Sequence, residues 1–194
     1  LEHNPFNMSI RDCVWGCTPR TSTAYTRNTF IRKLIEIRDI ARNTSSATDY
    51  YLLGNAYYNM SYFGPAFYMM NYFRSGAYFS GYWDNAQALD YYQKALQYAP
   101  DRESAARYCF MAAKAEQNLF FKNRTENRPD DDYWWGKYTI DEWDPDGYAQ
   151  FHQDIKKQGY RKYFERLRSD YKDTDYYQRA IRECKYLEYY VRRM

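Results

Sequence analysis

Among the side chains of this 194-residue chain that could take part in catalysis, the acidic ones are numerous and clustered. Eight of them fall between Thr125 and Gln150, where Arg128 and Lys137 are the basic residues. Two such carboxylates can serve as the acid and the nucleophile of a glycosidase. Carboxylates in a loop are normally solvated, however, and the two histidines supply few other acids or bases. We therefore predict a protein that is not an enzyme, although these carboxylates remain the candidates for the alternative: Asp130, Asp131, Asp132, Asp141, Glu142, Asp144 and Asp146.

Metal-binding patterns are present only in part. Glu142, Asp144, Asp146 and Gly147 stand where a calcium loop has its first, third, fifth and sixth residues, but the twelfth is Gln153 instead of a bidentate glutamate. An Asp-Pro-Asp-Gly turn accounts for the same residues without an ion. We predict no metal and no cofactor.

The four cysteines divide into two pairs with different expected roles. Cys13 and Cys17 have three residues between them, which is not the two-residue spacing common in zinc and redox motifs. The number of cysteines is even, which allows a disulfide that uses Cys13 or Cys17 if the protein is exported. Cys109 and Cys184 lie on the apolar stripes of predicted helices, where a thiol usually acts as a small buried hydrophobe.

Three of the five tryptophans, with neighbouring tyrosines, lie in the same segment as these acidic residues. They can form a small core that holds the segment down, stack against sugar rings, or fill a pocket on another protein. A small core is the role expected first for such rings. Between the two binding roles we favour contact with a protein partner, because tryptophan and tyrosine dominate interface energetics. Glycan binding is the alternative. The predicted binding residues are Tyr133, Trp134, Trp135, Tyr138 and Trp143.

The composition is that of one domain rich in tyrosine. Aromatic residues make up 21% of the chain and include 25 tyrosines, yet the mean hydropathy is −0.94. Most of these rings are therefore expected to pack between helices and keep their hydroxyls hydrogen bonded. No apolar run reaches the roughly 18 residues of a membrane helix, so no membrane span is predicted.

Nucleic acid is the third partner considered, and it is not predicted. The net charge of +3 is too small to indicate it. A basic stretch lies next to the acidic segment, which would repel phosphate. The residues of that stretch are Lys156, Lys157, Arg161, Lys162, Arg166 and Arg168.

The apolar periodicity predicts an all-α fold of about seven or eight helices. Residues 1–25 form an extended entry segment that contains Cys13 and Cys17, and 26–194 form a single helical domain with a long loop at 123–147. The first helix is capped by Thr26 and ends near Asn43. Its buried face is expected to hold Phe30, Leu34, Ile37 and Ala41, widened by Ile31 and Ile35.

Further helices follow from caps and turn residues. Thr48 or Asp49 is predicted to cap the second helix, and Asp84 the third. An alanine-rich helix spans Arg102 to Lys122. Beyond the loop, helices at 148–158 and 160–169 are separated or kinked by Gly159. One last helix is capped by Thr174, and its apolar face carries Tyr177, Ala180 or Ile181, Cys184, Leu187 and Val191.

Two segments have the residue spacing of a tetratricopeptide unit, which is a helical hairpin. The first contains Leu53 to Tyr57, and the second contains Ala88, Tyr92, Ala95 and Pro100. A small residue on each helix lets the axes approach, so we predict that Gly54 and Ala88 are neighbours. Residues 64–84 are then an insertion between the two helices of this hairpin.

Short segments along nearly the whole chain match the pattern of one known family. They are Asn4-Pro5-Phe6, Asp12-Cys13, Cys17, Leu53 to Asn59, Tyr62 to Gly64, Asp173-Thr174 through Ile181, Glu183-Cys184 and Tyr186. In these residues the chain resembles the C-terminal region of large bacterial envelope proteins with tetratricopeptide-like folds. The resemblance implies an exported, non-catalytic binding or assembly module of a longer protein, in the periplasm or on the outer surface. Its partner is then an envelope protein or upstream domains of the same polypeptide.

Overall fold

The computed structural model describes residues 4–8, 25–66, 84–126 and 145–193. These residues form eight helices and no strand, so the predicted all-α class is confirmed for this part of the chain. None of the helices it contains has the length and apolar character to cross a membrane. The helices are α1 Arg27–Thr44, α2 Ala47–Met60, α3 Ala86–Gln97, α4 Arg102–Glu126, α5 Pro145–Lys157, α6 Lys162–Tyr171, α7 Asp175–Glu183 and α8 Lys185–Arg193.

Helix α1 begins where the sequence predicts. The Thr26 hydroxyl accepts from the Thr29 N–H at 3.2 Å, and the Thr29 hydroxyl accepts from the Thr26 N–H at 3.0 Å, which makes a reciprocal cap. Its buried face holds Phe30, Ile37 and Ala41. Ile31 and Ile35 do not widen that face as predicted, because both are exposed.

The cap of α2 is Ser46, and the prediction of Thr48 or Asp49 is wrong. Ser45 adopts a left-handed conformation with φ 53°, which turns the chain sharply after α1. Ser46 is then extended, as a cap must be, and its Oγ accepts from the Asp49 N–H at 3.2 Å.

Helices α2 and α3 pack closely because Gly54 has no side chain. A Cβ built on Gly54 would lie 2.5 Å from two ring carbons of Tyr92. Ala88 is fully buried in the same core. The close approach at Gly54 is thus made by a ring on α3, and the Tyr92 hydroxyl donates to Asn55 Oδ1 at 3.0 Å.

Two asparagines of α2 hold the short segment 4–8 against the helix. Asn55 Nδ2 donates to the Phe6 carbonyl at 2.9 Å, and Asn59 Nδ2 donates to the Pro5 carbonyl at 2.8 Å. Both asparagines are buried, so these bonds satisfy amides that would otherwise be costly to bury.

Helix α4 is the central element of the fold. It packs against α3, α6 and α7, and every side chain from Tyr108 to Asn118 is buried. The predicted burial of Cys109 and Cys184 is confirmed. Because α4 continues to Glu126 and α5 begins at Pro145, both ends of the predicted loop at 123–147 are helical.

The C-terminal part contains one more break than predicted. Gly159 separates α5 from α6 as expected, with φ +83°. Thr174 caps α7, accepting from the Tyr177 N–H at 3.2 Å. The single last helix is instead two, because Cys184 is extended with φ −111° and ψ 106°. Hydrogen bonding resumes at once, with the Glu188 N–H donating to the Cys184 carbonyl at 2.9 Å.

Candidate functional site

The binding residues predicted from the sequence lie outside the described residues, and so do both cysteines of the predicted disulfide. Their roles stay predictions. This applies to Tyr133, Trp134, Trp135, Tyr138 and Trp143, and to Cys13 and Cys17. The described part of the chain offers three other features: a buried cluster around Arg161, a cleft between α3 and α6, and an exposed side of α1.

Among the described residues, Arg161 is the largest fully buried side chain, with 2% of its surface exposed. It follows the Gly159 turn and stands at the start of α6. Its Nη1 donates to Gln117 Oε1 at 3.0 Å, and its Nη2 donates to His152 Nδ1 at 2.7 Å. We call these three residues, with Glu116, the Arg161 centre.

Three aromatic rings surround the guanidinium. Its carbon lies 5.4 Å from the ring centroid of Phe151, 5.0 Å from that of Phe164 and 5.6 Å from that of Tyr190. Ring faces attract a cation, and more strongly where water is excluded. Burial lowers the pKa of Arg161 to about 10, so it still carries its charge near neutral pH.

His152 is neutral in this arrangement. An arginine can only donate, so Nδ1 must accept and the ring proton is on Nε2. Burial, together with the charge of Arg161, lowers the pKa of His152 to about 3. The ring stacks on Tyr189 with centroids 4.9 Å apart, and its Nε2–H meets no acceptor within the described ranges. Since its lone pair is engaged, His152 cannot serve as a general base here.

Glu116 and Glu103 on α4 act as caps for other helices. Glu116 Oε2 accepts from the Tyr163 N–H in the first turn of α6, at 3.1 Å. The two oxygens of Glu103 accept from the Asp175 and Tyr176 N–H groups at the start of α7, at 2.8 and 2.9 Å. A carboxylate at a helix N-terminus satisfies unpaired amides and complements the helix dipole. Burial raises the pKa of Glu116 to about 7, although the Tyr163 N–H favours its ionised form.

A cleft of about 420 Å³ lies between α3 and α6. Its walls are polar and cationic, with glutamines from α3 and a lysine and an arginine from α6. Leu96 and Tyr163, both buried, form its apolar base. We call it the α3–α6 cleft, and it is lined by Gln93, Leu96, Gln97, Lys162, Tyr163 and Arg166.

The exposed side of α1 is apolar at one end and cationic at the other. Ile31 is 53% exposed and Ile35 is 43% exposed. Arg38 and Arg42 follow at seven and eleven residues after Ile31, so all four lie in one stripe at 3.6 residues per turn. We call this stripe the α1 ridge.

The basic stretch seen in the sequence is not one continuous surface. Arg161 is buried, and Lys156 and Arg166 pair with Glu165 and Asp170 at 3.5 and 3.4 Å. The sequence gives no reason to expect Arg161 to be buried, because arginine is rarely buried. The nearest indication is Gly159, two residues earlier, which predicts a turn before α6.

No group of acidic, cysteine or histidine side chains in the described part of the chain could hold a metal ion. No family model, curated protein or solved structure matches the chain. The structure thus defines the class only as an all-helical protein over the ranges described above.

Proposed function

We propose that the chain is a non-catalytic protein-binding or assembly module of a bacterial cell-envelope protein, built from tetratricopeptide-like hairpins. The envelope location rests on the resemblance of the sequence. The binding role rests on one observation, the α1 ridge, which exposes two isoleucines on the outer side of the first helix.

The helix packing supports the hairpin architecture. Consecutive helices contact one another, α1 with α2, α2 with α3 and α3 with α4. The connections after α1 and after α3 are short, which favours antiparallel neighbours. Gly54 allows the close approach of Tyr92 that such a hairpin requires.

The spacing of the α1 ridge suits a helical partner. Residues at i, i+4, i+7 and i+11 form the seam along which two helices pack. In stacked helical hairpins each outer helix is covered by the next one, and among the described elements α1 packs mainly on α2. We therefore infer that a helix of the partner, or of an upstream domain, lies on Ile31 and Ile35.

The charge of α1 indicates the chemistry of that helix. Five basic residues and two acidic ones lie between Arg27 and Thr44. In a twofold antiparallel pair of copies, Arg38 and Arg42 of one chain would face the isoleucines of the other. The carboxylate beside them would be Asp39 of their own helix, which pairs with Arg38 at 3.1 Å. A partner helix with apolar residues at one end and acidic residues at the other satisfies both parts of the ridge.

Affinity isolation of the full-length protein from envelope extract tests this proposal. The double variant Ile31→Ser, Ile35→Ser should bind the stoichiometric partner about tenfold more weakly. The reason is that covering two half-exposed isoleucines contributes roughly 1–3 kcal/mol to binding. Ile40→Ser is the matched control. Ile40 is 42% exposed but lies about two and a half turns from Ile31, on the other side of α1.

The proposal is wrong if both variants retain the partner equally, or if both lose it equally. The predicted aromatic residues are tested in the same assay by Trp134→Ala with Trp135→Ala. Loss of binding to a glycan array in that variant, with the protein partner retained, would favour the glycan alternative for the aromatic segment.

A further inference from the structure

We propose that the α3–α6 cleft binds a singly charged, hydroxyl-rich small molecule, of the class of sugar acids. This site is separate from the α1 ridge and does not depend on the proposed protein-binding function. The inference rests on the side chains that line the cleft and on their charges.

Each wall of the cleft supplies one kind of group. Gln93 and Gln97 are one helical turn apart on α3 and are both exposed, so their amides point along the same wall. An amide both donates and accepts, which is the requirement for recognising hydroxyl groups. Lys162 and Arg166 have the same spacing on α6 and provide only donors with positive charge.

The two cations make contacts within the protein and remain exposed. The Lys162 ammonium lies 5.3 Å from the centroid of the Tyr163 ring, which forms part of the base of the cleft. Arg166 pairs with Asp170 at 3.4 Å, and about half of each of these two side chains is exposed. Both positive charges therefore stay accessible to a ligand.

The balance of charge favours a monoanion over a dianion. Among the described residues that line the cleft, Lys162 and Arg166 are the cations. Asp170, which pairs with Arg166 at 3.4 Å, is the carboxylate that binds one of them. One positive charge is left over, which a single carboxylate balances and a doubly charged phosphate exceeds.

The volume and the base of the cleft agree with a small ring. The cleft has a volume of about 420 Å³ and is open to solvent, so a small ligand bound in it would stay partly exposed. Leu96 and Tyr163 give the ligand an apolar surface beneath the polar walls. A carboxylate on a hydroxyl-bearing ring can reach Lys162 and Arg166 while its hydroxyls face the two glutamines.

Titration with matched sugars, followed by amide chemical shifts in NMR, tests this site. Glucuronate and glucose share one ring and differ by the carboxylate, so glucuronate should bind at least about tenfold more tightly. The perturbed amides should belong to residues at the cleft, including Gln97 and Lys162. Inorganic phosphate is the third probe and should bind more weakly than glucuronate.

Lys162 and Arg166 are both exposed, so their substitution should leave the fold intact. Lys162→Gln and Arg166→Gln should each weaken glucuronate binding by about tenfold. Lys172→Gln, an exposed lysine just beyond α6, is the control and should leave it unchanged. The inference is overturned if glucuronate does not shift the cleft amides, if glucose or phosphate binds as well, or if the Lys172 variant weakens binding equally.

Discussion

The two halves of the molecule fix their helices with different chemistry. In α1 to α3 the buried polar contacts are neutral, with Asn55 and Asn59 bonded to backbone carbonyls and to the Tyr92 hydroxyl. In α4 to α8 they are ionisable, because Arg161 and Glu116 are buried beside a neutral His152. Neutral networks respond to packing changes, whereas the Arg161 centre responds to charge and pH as well.

The largest expected effect is the truncation of Arg161. Arg161→Ala removes a fully buried side chain and leaves Gln117 and His152 without their partner, which should lower the free energy of unfolding by about 3–5 kcal/mol. Urea unfolding measures this change. Arg161→Met keeps most of the volume and removes the desolvation cost of the charge, so it should cost less than Arg161→Ala. If both variants lose the same free energy of unfolding, the volume of the Arg161 side chain between the three rings does not contribute to stability, contrary to this account.

The second largest expected effect is the change in stability of the Arg161 centre with pH. For His152, the folded pKa of about 3 lies below the ordinary 6.5, so the unfolded chain binds the proton first and stability falls as pH drops from 6.5 to 3. For Glu116, the folded pKa of about 7 lies above the ordinary 4.5, so stability rises as pH drops from 7 to 4.5. Between pH 6.5 and 4.5 the two effects oppose each other.

Two variants separate these opposing effects. Glu116→Gln should lose stability on acidification from pH 6.5 to 4.5 more steeply than the parent protein, by at most about 1.4 kcal/mol per pH unit. His152→Phe should instead gain stability over that range. Unfolding midpoints in urea at several pH values give both slopes, and parallel slopes in all three proteins would refute this assignment.

The neutral half is expected to be sensitive to volume. Gly54→Ala places a methyl group against the buried Tyr92 ring and should destabilise the fold by about 1–3 kcal/mol, although alanine is the better helix former by about 1 kcal/mol. The cost should vanish in a Tyr92→Leu background, where the ring is absent. Thermal unfolding of the four proteins in this double-mutant cycle measures the coupling.

The smallest effect is expected on the surface of α1. Lys33 pairs with Glu36 at 2.7 Å, but both side chains are largely in solvent. Lys33→Ala should therefore change stability by less than about 0.5 kcal/mol. A loss comparable to that of Gly54→Ala would mean that exposed charge contributes to this half as much as packing does.

The sequence was most informative where the deciding interaction is local. Thr26 and Thr174 were predicted correctly as caps, because a cap is decided within one turn of its helix. Where several capping residues follow one another, as at the start of α2, the sequence did not single out Ser46. Cys109 and Cys184 were predicted to be buried from the apolar stripes around them. The all-helical class follows from the same periodicity.

Features that depend on tertiary packing could not be predicted. Ile31 and Ile35 fit an apolar face by spacing, yet α2 covers α1 along a narrower strip, so both stay exposed. The break at Cys184 interrupts a continuous helical pattern. The burial of Arg161 depends on α4, α5 and α8 meeting around it, and none of these contacts is local in sequence.

Site-specific photo-crosslinking tests the proposed binding role most directly. A photoreactive residue is placed at position 31, 35 or 40 of the full-length protein in the cells that produce it, and the adducts are mapped by mass spectrometry. Positions 31 and 35 should capture one amphipathic helix whose acidic residues lie near Arg38 and Arg42, and position 40 should not capture it. Capture of a second copy of this chain, the same adducts at all three positions, or none at positions 31 and 35 would contradict a helical partner on the α1 ridge.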